Sequence, residues 1–185
     1  MMIQDYLRQS VAVIDATAQM AAMFQVEKAV EAISAAFRDR KPLLVCGNGG
    51  SASDAMHIAG EMVGRFLKER AAQKCIALSN PAVLTAWAND YSYETVFSRQ
   101  VEAYGEVGGV LWGISTSGNS ANVIAALLEA KKMGMITIGL TGQGGGKMAG
   151  ACDILIDVAS KETPLIQQAH LCLYHYICQK VEEAL

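Results

Sequence analysis

His57 and Glu61 stand four residues apart, which puts an imidazole and a carboxylate on one face of a helix. Such a pair can ligate a metal together, or the carboxylate can act as a general base. The bland alternative is an ordinary surface pair at i, i+4 spacing. Met56, Ala59, Met62 and Val63 crowd the same helix with apolar side chains, which suggests burial, and buried charges need partners. Just upstream runs Gly47-Asn48-Gly49-Gly50-Ser51, a glycine-rich turn that opens into this helix. Backbone N–H groups and the positive end of a helix dipole point outward together at such a turn and make an anion cradle. Gly47, Gly49 and Ala52 also fit the dinucleotide pattern G-x-G-x-x-A, but the next strand ends in Ala77-Leu78-Ser79-Asn80 with no acidic residue for a ribose. No Gly-Lys-Ser/Thr follows, so the P-loop reading fails too.

A second loop, Ser115-Thr116-Ser117-Gly118-Asn119-Ser120, gathers four hydroxyls at the entry to another helix. One of them serves as an N-cap; four exceed any capping need and suit a phosphate monoester. The last helix carries Gln167, His170 and His175 among Leu165, Ile166, Leu171, Leu173 and Ile177. A histidine in such a run is usually a core or interface residue. Gln167 and His175 lie about 12 Å apart along a helix axis, so spacing alone does not pair them.

These segments need a scaffold. Ile3, Leu7, Val11, Ile14, Ala18 and Ala21 repeat at helical spacing over residues 3–22, and Val26, Val30, Ile33 and Phe37 do so over 26–38. Short apolar runs at 43–46, 75–78, 110–114, 135–140 and 154–158 read as strands buried on both faces. Helical stretches at 53–66, 83–87 with 93–104, 119–133 and 164–184 separate and follow them. Strand–helix alternation implies a five-stranded parallel sheet with right-handed crossovers, in which ligands bind beyond the carboxyl ends of the strands. GNGGS, STSGNS and TGQGGGK all fall there. No linker, repeat or low-complexity tract interrupts the 185 residues, so the expectation is one domain, 1–185.

Composition narrows the function class. A hydrophobic fraction of 52% against 18% charged argues against disorder and for a buried sheet or subunit interface. The net charge of −3 and the lack of any basic block larger than a pair argue against nucleic acid as a partner. Cys46, Cys75, Cys152, Cys172 and Cys178 form no C-x-x-C pair and are odd in number, which fits reduced thiols in a cytoplasmic protein. No secretory signal and no membrane-length apolar run are visible.

CGNGGSASDAMH, AGEMVGRF, the AND at 88–90, VFSRQVEA, GISTSGNSANV, LTGQGGGKMAG and the Gln167…His175 helix together resemble the sugar isomerase (SIS) domain, and within it the phosphoheptose isomerase family. The resemblance covers nearly the whole chain. It implies an α/β fold, a three-layer αβα sandwich with a five-stranded parallel sheet, preceded by N-terminal helices (residues 1–40) used in oligomerisation. It implies a homotetramer with sites near subunit interfaces, and conversion of the sugar phosphate sedoheptulose 7-phosphate to D-glycero-D-manno-heptose 7-phosphate for bacterial surface heptose. The metal-and-catalysis positions fall on His57, Glu61, Gln167 and His175, with zinc as the implied metal and Glu61 and His175 as the catalytic pair. Substrate-contacting positions fall on Asn48, Gly49, Gly50, Ser51, Glu61, Asn89, Asp90, Ser115, Thr116, Ser117, Ser120 and Gln167. One departure is Leu165-Ile166-Gln167-Gln168, where the family often has Arg-Ile-Gln-Glu. Non-catalytic relatives that bind the bacterial replication initiator lack the helical glutamate and final histidine, both present here. Arabinose 5-phosphate isomerases commonly carry added regulatory domains, and sugar sensors a DNA-binding unit; neither is visible in this sequence.

Overall fold

The computed structural model describes residues 1–20 and 23–185; Ala21, expected to close the first helical stripe, lies outside them. Two helices come first, α1 (Ile3–Ala18) and α2 (Phe24–Arg38). Alternating strands and helices follow: β1 (Leu43–Gly47), α3 (Gly50–Val63), β2 (Cys75–Ala77), α4 (Pro81–Asp90), α5 (Val96–Tyr104), β3 (Val110–Ser115), α6 (Ala121–Lys132), β4 (Ile136–Thr141), β5 (Ile154–Asp157) and α7 (Thr163–Glu183). Five strands form one parallel sheet in the order β2-β1-β3-β4-β5.

The strands are apolar on both sides because helices cover both sides. Leu43, Val45, Trp112 and Ile138 face α2, α3 and α7 in one core. Leu44, Leu111 and Cys46 face α5 and α6 in the other. Three layers result, as the sequence implied. The order reverses between β1 and β3, since β1 continues outward to β2 while β3 continues the other way. In open α/β sheets that reversal leaves a crevice beyond the strand ends, and the loops after β1 and β3 meet there.

Several boundaries differ from expectation, among them the end of α3, which stops at Val63 rather than 66, and two helix starts. Helix α3 begins at Gly50, so the glycine turn is itself the first helical turn; Gly49, at φ +57°, supplies the left-handed step that only glycine takes cheaply. Helix α4 begins at Pro81, because the Asn80 side chain accepts from the N–H groups of Ala82 and Val83 and proline suits the first turn. Every residue of α4 is at least partly exposed, and so are Ile3, Leu7 and Val11 on α1. Among the described residues no helix is long and apolar enough to cross a membrane.

Candidate active site

Three helix N-termini converge on one small cavity of about 200 Å³. Gly50 and Ser51 bring the start of α3, Ser120 that of α6 and Thr163 that of α7. None of these three helices has a side-chain cap at its N-cap residue. Their positive ends therefore stay open toward the cavity. No charged side chain lines it. Ser120, which capping rules would turn onto its own helix, instead places its hydroxyl 2.8 Å from that of Ser115. Ser117 stands at the rim, 3.5 Å from Ser115, with its Oγ accepting the N–H of Asn119. Thr116 completes the hydroxyl lining.

Asn48 is locked by residues the sequence reading passed over. Its amide exchanges two hydrogen bonds of 2.9 Å with the buried Asn122, and Tyr93 donates its hydroxyl to Asn48 Oδ1 at 2.8 Å. The third polar loop does not line the cavity. It buttresses the second, through Gly142 N–H to Thr116 O at 3.0 Å and Lys147 N–H to Asn119 Oδ1 at 3.1 Å.

Helices α3 and α7 run alongside in the same direction, and a groove between them leads away from the cavity. Gln167 belongs to its near end. The amide is packed on Gly50 so tightly that a Cβ there would lie 2.3 Å from Gln167 Nε2. Asp54 and Leu171 flank the groove further along. At its far end His57, Glu61 and His175 offer ligand atoms that all lie within 4.8 Å of one another. His57 Nε2 is 3.0 Å from Glu61 Oε1 and 3.4 Å from His175 Nε2. Tyr174 hydrogen-bonds His57 Nδ1 at 3.0 Å, which turns Nε2 toward the other two groups.

Two imidazole nitrogens and a carboxylate oxygen form a donor set that zinc favours. Nitrogens bound to tetrahedral zinc at the usual bond length sit about 3.3–3.4 Å apart, and the two Nε2 atoms match that edge. Burial first, and then the neighbouring His57, hold the His175 pKa below the ordinary histidine value, with Glu61 pulling it back. His175 thus favours its neutral, metal- and proton-accepting form. Asp54, absent from the sequence-based set, has its carboxyl pushed up to about 6 by burial, against the lowering influence of His57 and Tyr174. Its Oδ2 is buried without a close hydrogen-bond partner. Only the i, i+3 spacing to His57 could have flagged it.

The fourth residue of the implied metal set, Gln167, stays with Gly50, about two helical turns from His175. Asn89 and Asp90 sit exposed at the end of α4, bonded to each other at 2.8 Å and outside the cavity lining. His170 proves a core residue: fully buried, 3.1 Å from the Thr141 carbonyl through Nε2, and lowered to about 4 by burial.

Fold and site together define a class, the SIS domain, whose family matches residues 5–142. The phosphoheptose isomerases of Crocosphaera subtropica and Synechocystis sp. are 52% and 51% identical over 161 residues, 86% of this chain and 82% and 83% of theirs. The structure of phosphoheptose isomerase GmhA from Neisseria gonorrhoeae superposes with a TM-score of 0.92 at 37% identity, covering 98% of this chain and 97% of that one. A phosphoheptose isomerase from Francisella tularensis gives 0.93 at 32% identity, covering 98% and 96%. This chain belongs to the SIS domain family, on its phosphoheptose isomerase branch.

Proposed function

We propose that the chain isomerises sedoheptulose 7-phosphate to D-glycero-D-manno-heptose 7-phosphate for bacterial heptose biosynthesis. The observation that carries this reading is the pairing of ends: a cavity of neutral donors at one end of the α3–α7 groove, and Glu61 with His175 at the other. Seven residues of α3 separate Gly50 from His57, about 10 Å of helix, the reach of an extended seven-carbon sugar phosphate.

The phosphate takes the cavity, where open helix N-termini and the hydroxyls of Ser115, Thr116 and Ser120 replace its water. Asn48, Gly49, Gly50, Ser51, Ser117 and Gln167 shape that end. Glu61 removes a proton from C1 of the ketose, the C1–H electrons form the C1=C2 bond, and the C2=O π electrons pass to O2, leaving an enediolate. The same carboxyl then returns the proton to C2, while His175 takes the O1 proton and delivers it to O2 as the aldehyde forms. His57 and Glu61 Oε1 are engaged with each other, which leaves Glu61 Oε2 for the carbon acid. Zinc, held by His57, Glu61 and His175, would polarise the carbonyl oxygen as a Lewis acid. Gln167 would join that set only by leaving Gly50.

The same reading includes a homotetramer and a cytoplasmic setting. The exposed apolar stripe of α1 suits a subunit contact within residues 1–40, and Asn89 and Asp90 would meet substrate across such a contact. Free cysteines suit a reducing compartment. The deciding experiment offers sedoheptulose 7-phosphate to the purified protein, untreated, chelated, and chelated then resupplied with zinc. Aldose should form, stop with chelator and return with zinc; no aldose from the untreated protein rejects the proposal.

A further inference from the structure

Between α3 and β2 runs a strap, residues 64–74, without regular secondary structure. Two charged side chains are buried to hold it. In the last turn of α7, the Glu182 carboxylate accepts three backbone N–H groups: Phe66 on Oε1 at 2.8 Å, and Leu67 and Lys68 on Oε2 at 2.7 and 2.9 Å. Arg70 lies against it, with Nε 3.5 Å from Oε1 but off the hydrogen-bonding direction, so that contact is one of charge. The remaining guanidinium nitrogens face the end of α3. Nη2 donates to the Glu61 carbonyl at 2.6 Å, and Nη1 to those of Met62 and Gly64 at 2.8 and 3.1 Å. Carbonyls at a helix C-terminus lack partners within the helix, and the dipole there favours a cation. The two charged side chains are only 9% and 2% exposed. Burial alone would raise the Glu182 pKa; the N–H groups of Leu67, Phe66 and Lys68, with Arg70, outweigh it and hold the pKa below the ordinary range.

What this pair grips is the reacting end of the groove. Arg70 holds the backbone of the residue whose carboxylate meets His57. The strap it shares with Glu182 sets the Phe66 ring 5.5 Å from the ring of His175. Desolvating two charges costs several kcal/mol, and apolar packing would fasten a purely structural strap as well or better. We propose that Arg70 and Glu182 form a clasp that fixes Glu61 and His175 relative to each other, acting as positioning residues for metal binding and catalysis. This rests on the reading of His57, Glu61 and His175 as the reaction centre.

Glu182→Gln keeps the shape but sets an NH₂ group among three N–H donors. In the metal-free protein, amide hydrogens of Phe66, Leu67 and Lys68 should exchange faster. Zinc affinity, measured against a competing chelator, should fall about 10- to 100-fold, as for outer-shell partners generally. kcat should fall by a similar factor while KM stays within about threefold, because the cavity end is untouched. Arg70→Lys keeps the charge but loses the fork; it should move zinc affinity and kcat the same way, and it decides the matter if Glu182→Gln does not fold. Wild-type zinc affinity and kcat despite freed strap amides would overturn the clasp, as would a rise in KM equal to the loss in kcat, or failure of both variants to fold. Should the wild-type protein turn over no heptose phosphate, the zinc arm still decides: unchanged affinity in the variants rejects the proposal.

Discussion

The two ends of the α3–α7 groove are built from opposite materials. At the cavity end everything is neutral: hydroxyls, the Gln167 amide, open helix N-termini and, beneath them, a histidine buried in its uncharged form. At the far end two imidazoles and a carboxylate crowd together, partly open to water. The difference mirrors the proposed ligand. A dianionic tail wants donors that bring no countercharge of their own and no desolvation penalty for a buried cation. An uncharged sugar head, where charge develops only during reaction, wants groups that accept and release protons.

The largest expected effect breaks the reacting end alone. Glu61→Gln should lower kcat by about 10³-fold, within the usual range for losing a general base, with KM little changed and the circular dichroism spectrum intact. Near-normal turnover would make the two ends chemically alike and defeat the comparison.

Acid tests the neutrality of the cavity end. His170 has a folded pKa near 4, below the ordinary histidine value, so the unfolded chain binds its proton first as pH falls. Stability from this group is complete above about pH 6.5 and drains away toward pH 4, a change of about 3 kcal/mol. Asp54 acts in the opposite sense: its raised pKa makes the folded state take up a proton near pH 6 and gain stability on acidification. The two partly cancel in the wild-type curve, so the comparison is with His170→Gln. Relative to wild type, that variant should gain about 2–3 kcal/mol between pH 7.5 and pH 4 in urea unfolding. A constant gap would show that His170 is not held neutral.

A milder loss is expected at the cavity. Ser115→Ala removes a donor to an anion and orphans Ser120, worth about 1.5–3 kcal/mol, or roughly 10- to 100-fold in KM, with kcat less affected. Parallel losses in both constants would place Ser115 at the reacting end instead. The smallest change sharpens the boundary between the ends. Gly50→Ala gains about 1 kcal/mol of helix propensity and loses about as much in crowding, so stability should hold. Its new methyl must displace the Gln167 amide, and KM for the sugar phosphate should rise by about threefold.

The sheet and the cavity end were legible in the sequence because both are local. Apolar runs of four to six residues mark buried strands, and a hydroxyl- or glycine-rich turn after three of the five marks the carboxyl end of the sheet. His57 and Glu61 were legible for the same reason, one helix turn apart. What escaped depends on how distant segments pack. Asn122 secures Asn48 from 74 positions away, and Glu182 reaches Phe66 across 116. Neither leaves a pattern in its own neighbourhood. The status of His170 and His175 turned on helix phase: five residues apart on α7, one rotates into the core under Thr141 and the other meets His57. The resemblance supplied His175, and geometry supplied the reason. Asn89 and Asp90 remain apart from the cavity within one chain.

Both walls of the groove are continuous helices that advance together, and this bears on which sequence changes the chain tolerates. One residue inserted between Gly50 and His57 would swing every later side chain of α3 by about 100°, carrying His57 and Glu61 off the face they share with α7. The loop from α5 to β3, or the tip beyond Glu183, imposes no such phase. Length variation should therefore gather outside these two spans, while within them even a neutral insertion dismantles the centre at a stroke.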